Sequence, residues 1–84
     1  MGLGAATYAD GSLSRKTKEL IALAIGVTAR CDGCIAHHSK ACHAKGATRE
    51  EVVEAIGVAI QMGGGPAMVY GADALRAFDQ FASQ

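Results

Sequence analysis

Neither sign of charge dominates this 84-residue chain: eight Lys and Arg are matched by eight Asp and Glu, scattered in small groups. That balance leaves no electrostatic footprint for nucleic acid or for an anionic membrane surface. A long apolar run is missing as well. The longest, Leu20 to Val27, falls far short of the about 20 residues that span a bilayer. Met1-Gly-Leu-Gly is not a basic segment followed by an apolar core. No signal peptide is expected, and the expected compartment is the cytosol, where thiols are kept reduced. No segment alternates apolar and polar residues with the period of a strand. Nor is there an internal repeat, a linker or a low-complexity tract, and so short a chain cannot build a second hydrophobic core. The expectation is one all-α domain.

What is present is small and apolar. Half of the chain is hydrophobic and eleven further residues are glycine, against about 45–50% for apolar residues and glycine together in typical domains. Much of this is Ala and Gly, which let helices approach closely but bury little area each. A chain of this size buries only roughly 60% of the surface it exposes when unfolded. Some apolar helix faces should therefore stay uncovered until another subunit covers them, and the composition predicts an obligate homo-oligomer.

Residues 1–12 show no sustained period and read as a loose or partner-docked arm ahead of a domain over residues 13–84. Ser12 or Ser14 can cap a helix from about Arg15 to Thr28, apolar nearly all round after its first turn and therefore central. After a break at Ala29-Arg30-Cys31, Asp32 is the expected N-cap of a helix running to about Lys45, with Gly46 as its C-terminal cap residue. Thr48-Arg-Glu-Glu51 has the pattern of a capping box and starts a third helix through about Gln61. Its apolar set is Val52, Val53, Ile56, Val58, Ala59, Ile60 and Met62. Gly63-Gly-Gly65 ends it, and Pro66 suits the first position of a fourth. There Met68, Leu75, Phe78 and Phe81 recur at helical spacing, and Gly71 and Ala72 allow a close crossing. About four helices are expected.

The residues able to do chemistry lie in one stretch, Cys31 to His43, which holds all three Cys and all three His. Cys31-Asp-Gly-Cys34 puts two thiols at a helix start, close enough for a small-loop disulfide and near backbone N–H groups that favour a thiolate. His38 follows Cys34 by four residues, one turn on along the same face, where an imidazole exchanges protons near neutral pH. Together they form a compact nucleophile and proton-transfer unit. The same C-x-x-C spacing also suits zinc, or two unrelated buried thiols. A four-ligand zinc site usually has a second ligand pair elsewhere. Cys42 lies about 12 Å along the helix axis from Cys34, too far for zinc–sulfur bonds of about 2.3 Å. Zinc on Cys31, Cys34 and His38 with an outside ligand stays open, and redox chemistry is favoured over it.

Glu19 is the sole acid between Asp10 and Asp32. It is either a solvated helix residue or an inward-facing proton carrier for the thiols. His37 and His43 point roughly 100° and 140° away from His38 around a helix, so His37 can line the pocket and His43 belongs to the surface. Cys42 continues the face of Cys34 and His38 and reads as a packed thiol. Met68 and Tyr70 can border the site or serve the core.

The spacing of Glu19, eleven intervening residues, Cys31-x-x-Cys34-x-x-x-His38, then Gly46-Ala47-Thr48 with Glu51 and Glu54 resembles the AhpD-like alkylhydroperoxidase core of the carboxymuconolactone decarboxylase superfamily. Leu13-Ser-x-Lys16-x-Lys18-Glu19-Leu20-Ile21 and Gly63-Gly-Gly65-Pro66-Ala67 are similar to its small members. The resemblance implies an all-helical subunit assembled into rings, commonly trimers or hexamers. It implies that Cys34 attacks a hydroperoxide and becomes a sulfenic acid, and that Cys31 resolves it as a redox-active disulfide. Glu19 and His38, through a water, are the implied proton relay. A dithiol or lipoyl-type electron donor is the implied partner, and neither a cofactor nor a metal is implied. Two departures stand out. The fuller enzymes have more helices and often a His where this chain has Gly33, which implies a shorter relay and weaker turnover. The decarboxylase branch lacks the Cys pair, so decarboxylation of a lactone-type substrate is an alternative, as is a non-catalytic redox-sensing or zinc-binding module.

Overall fold

Every long helix of this protein starts on a cap or turn that its local sequence supplies. The computed structural model describes residues 2–84, and five helices run through them: α1 Gly2–Tyr8, α2 Arg15–Thr28, α3 Asp32–Ala44, α4 Arg49–Gly63 and α5 Gly65–Ala82. The Ser14 hydroxyl accepts the Thr17 N–H at the head of α2. Thr48 and Glu51 form a reciprocal capping box at the head of α4. Gly64, at φ +78°, ends α4 and leads at once into α5, with Pro66 in the first turn. At the head of α3 the cap is Cys31 rather than the expected Asp32: the Cys31 Sγ accepts the Cys34 N–H at 3.2 Å. Asp32 instead occupies the first turn, where a carboxylate complements the positive end of the helix.

Residues 2–8, part of the 1–12 segment expected to be a loose or partner-docked arm, form α1, so the described residues hold five helices where about four were expected. None of its residues is buried, which is why no hydrophobic period marks it. Contacts with α2 hold it in place instead. Lys18 Nζ donates to the Ala9 carbonyl, the Arg15 N–H donates to Asp10, and the Arg15 guanidinium lies over the Tyr8 ring.

α2 packs against all four other helices, and α5 closes the bundle over α3 and α4. The core draws Leu23 and Val27 from α2, Ile35 and Cys42 from α3, Val52, Ile56 and Ala59 from α4, and Ala67, Ala74 and Phe78 from α5. The buried face of α5 runs Ala67, Gly71, Ala74, Phe78. Met68 lies off that face, 61% exposed, so it is not the core residue its spacing suggested. A Cβ on Gly71 would stand 2.7 Å from Ile56 Cγ2, so glycine is what lets α5 lie this close to α4. Ala72 faces outward and takes no part in the crossing.

Apolar side chains are left over. Ile21 and Ile25 on α2, with Val58 and Met62 on α4, are exposed. Ile25, Val58 and Met62 border one shallow apolar groove of about 180 Å³ between the two helices. Among the described residues no helix is long and apolar enough to cross a membrane.

Candidate active site

The turn between α2 and α3 decides where the two thiols stand. α2 closes with Arg30 in the left-handed region (φ 57°), its N–H bonded to the Val27 carbonyl. The next N–H, that of Cys31, reaches back to the Gly26 carbonyl at 3.0 Å. This is the Schellman arrangement, usually built on glycine, and a side chain in that conformation costs about 1–2 kcal/mol. It pins the Cys31 backbone to the end of α2 while the Cys31 sulfur caps α3. The first turn of α3 also lies hard against α2, since a Cβ on Gly26 would stand 3.1 Å from Cys34 Cβ.

Cys31 and Cys34 are joined by a disulfide, with Cα atoms 5.2 Å apart. Cys34 opens onto a cavity of about 210 Å³ whose wall includes Tyr8, Gly26 and His38. His38, one turn along α3, is held from the far side of its ring: Nδ1 lies 2.7 Å from Glu19 Oε1. Glu19 is therefore the inward-facing alternative of the two, and at 1% exposure it is the one buried acid among the described residues. Its other oxygen, Oε2, accepts from Arg15 Nε at 2.9 Å.

Burial alone would raise the Glu19 pKa, but hydrogen bonds to His38 and Arg15 and the charges behind them hold it below its ordinary value. Glu19 is thus a carboxylate at neutral pH. A carboxylate only accepts, so the proton of this hydrogen bond sits on Nδ1 of His38. Nε2 of a neutral imidazole is then the nitrogen with a free lone pair. The arrangement can take a proton from a group in the cavity and leave the resulting cation beside a negative charge.

The remaining candidates separate cleanly. Cys42 is a free thiol with no exposed surface. Burial first, and the Glu19 charge second, push its pKa up to about 12, so it stays protonated and inert. His37 is exposed and sets its ring edge against His38. It borders an outer groove with Arg15, Lys40 and Lys45 rather than the Cys34 cavity. His43 is exposed against Phe78. Tyr70 is half-buried against the core, and neither it nor Met68 borders the Cys34 cavity. Among the described residues no three His, Cys, Asp or Glu side chains gather as a metal-ligand set.

Two residues of the site escaped the sequence reading. Arg15 precedes Glu19 by four positions, the helical spacing of an ion pair, and that signal was there to use. Tyr8 had none: its ring comes within 5.8 Å of His38 and 5.5 Å of the Arg15 guanidinium only through the docking of α1.

The carboxymuconolactone decarboxylase family profile matches residues 1–77. An uncharacterized protein of Cupriavidus necator is 42% identical over 78 residues, which are 93% of this chain and 69% of that protein. Among solved structures, an apo carboxymuconolactone decarboxylase family protein from Legionella pneumophila superposes with a TM-score of 0.94 at 50% identity. The match covers 95% of this chain and 71% of that one. A member of the same family from Thermotoga maritima, for which a part in an antioxidative response has been suggested, gives a TM-score of 0.89 at 34% identity. That match covers 96% of this chain and 69% of the other.

Proposed function

We propose that this chain, which belongs to the carboxymuconolactone decarboxylase family, is a thiol peroxidase that reduces hydroperoxides through Cys34 and Cys31. One observation carries the reading. A disulfide-forming pair stands at a cavity beside an imidazole whose far nitrogen is occupied by a buried, ionised carboxylate. The antioxidative role suggested for the Thermotoga maritima relative points the same way.

In the reduced protein, His38 Nε2 takes the Cys34 proton, directly or through a water, and the thiolate attacks the outer oxygen of a hydroperoxide. The O–O bond breaks. Cys34 becomes a sulfenic acid, and the alkoxide leaves as an alcohol with the proton returned from His38. The Cys31 thiol then attacks the Cys34 sulfur, the S–S bond forms and water departs. A dithiol, of lipoyl or similar type, reduces the disulfide in two exchange steps and is itself oxidised. The sum is hydroperoxide plus dithiol giving alcohol, water and disulfide. Cys34 is assigned as nucleophile because it borders the cavity, whereas the Cys31 sulfur is engaged as the cap of α3.

The setting follows from the same chemistry. A cycle that must return to the dithiol suits a reducing compartment, the cytosol. Exposed Ile21, Ile25, Val58 and Met62 suit association with further copies of the chain, as a trimer or hexamer. Peroxide consumption with a dithiol donor tests the function. It should fall to background in Cys34→Ser, and turnover that survived alkylation of both Cys31 and Cys34 would move the chemistry to an acid–base reaction of the decarboxylase kind.

A further inference from the structure

We propose that Arg15 is a positioning residue: by holding Oε2 of Glu19, it keeps that carboxylate charged and aimed through Oε1 at His38 Nδ1. This sets the imidazole tautomer that Cys34 requires. The proposal rests on the thiol reading of the site and adds a residue that the C-x-x-C and Glu/His pattern does not contain.

The geometry makes Glu19 a bridge. Its two oxygens serve different partners, Oε1 to His38 at 2.7 Å and Oε2 to Arg15 at 2.9 Å. Among the described residues these are its only hydrogen bonds and ion pairs. Titratable groups also near it are Cys42 on α3, which the Glu19 charge influences, and Tyr8 on α1, which lies against both Arg15 and His38. No titratable side chain of α4 or α5 is bonded to it.

Without Arg15 the buried carboxylate would keep one hydrogen-bond partner, His38, and burial favours its protonated form. A protonated Glu19 can donate to Nδ1. The imidazole proton would then move to Nε2, leaving that nitrogen without a free lone pair. Arg15 blocks that exchange because a guanidinium only donates and cannot be deprotonated. Arg15 touches neither thiol and does not border the Cys34 cavity, so its action runs through Glu19. The Tyr8 ring lies 5.5 Å from its guanidinium, a cation–π contact that favours this placement of the side chain.

The test reads Glu19 itself. Carbon-13 NMR of the glutamate carboxyls follows its titration in the oxidised protein, without peroxide, so the outcome is independent of whether the chain turns peroxide over. In the unmodified protein Glu19 should titrate below the usual carboxylate range. In Arg15→Gln the midpoint should rise by about one pH unit or more, the size of shift that a close opposite charge supplies. Arg15→Lys should recover most of it. Unchanged titration of Glu19 in a folded Arg15→Gln would overturn the proposal, because a merely structural Arg15 would lower thermal stability and leave that midpoint where it was. Were Arg15→Gln to lose its helix signal, the unmodified protein would still decide: a Glu19 midpoint at or above the ordinary range contradicts the assignment.

Discussion

The two halves of α3 carry the same side-chain type to opposite ends. At its head, Cys34 stands at a cavity and pairs with Cys31, one turn from an imidazole. Two turns further on, Cys42 has no exposed surface and a pKa pushed up to about 12. The chain enters α3 through Arg30 in a left-handed conformation and leaves it through Gly46 in another. Both turns make the same pair of backbone hydrogen bonds, Arg30 and Cys31 to Val27 and Gly26, Gly46 and Ala47 to His43 and Cys42. A thiol's chemistry here is thus set by what surrounds it and not by its helix. The head of α3 has an opening, an imidazole and a carboxylate behind the imidazole, whereas the tail is closed by packing.

The comparison breaks most visibly by exchanging thiols. Cys34→Ser should lose peroxidase turnover entirely in a dithiol-coupled assay. Cys42→Ala should keep it within about twofold while lowering stability in chemical denaturation by about 1–2 kcal/mol, the cost of a small core truncation. A Cys42→Ala variant as inactive as Cys34→Ser would end the distinction between the two ends.

Next in size is the charge behind the base. Glu19→Gln keeps the shape but removes the acceptor-only carboxylate, and turnover should fall about 100-fold, the scale of general-base catalysis. The pH dependence of stability carries the same signature. Because folding lowers the Glu19 pKa, its contribution is complete above the unfolded value of 4.5 and is lost as pH falls through the lower folded value. Acid unfolding curves of Glu19→Gln should be flatter in that window.

Cys42 has the opposite sign. Folding raises its pKa from 9.0 to about 12, so its contribution is intact below 9.0 and disappears as pH rises from there to about 12. At pH 8 an alkylating reagent should label Cys31 and Cys34 of the reduced protein within minutes and Cys42 only after denaturant is added, as peptide mass spectrometry will read. The smallest effect concerns the two turns. Gly46→Ala forces a Cβ into the left-handed region and should cost about 1 kcal/mol. Arg30→Gly relieves that strain but loosens the unfolded chain, leaving a net gain of about 0.5 kcal/mol.

Much of this was legible in the residues because it is local. Ser14, the Thr48–Glu51 box and Gly64-Gly65-Pro66 place helix starts by hydrogen bonds and dihedrals spanning only a few positions. The bounds of α2 follow from them. The one-turn spacing of Cys34 and His38 is local too. What escaped depends on distant contacts: α1 buries nothing and is held by Lys18, Asp10 and Arg15. Met68 has the right spacing but lies outside the stripe of small residues that α5 turns inward. Glu19 had two readings until the fold aimed it at His38, because spacing along one helix says nothing of the next. Sulfur, a weak acceptor, took the cap from Asp32 because the Arg30 turn had already fixed Cys31 in place.

The central claim is that Cys34 and Cys31 are the oxidisable pair and Cys42 is shielded. Mass spectrometry of the reduced protein before and after one equivalent of hydroperoxide tests it directly. The account predicts a Cys31–Cys34 disulfide in nearly every chain, with Cys42 still a free thiol. Peroxide that left the pair reduced, or oxidised Cys42 first, would contradict it.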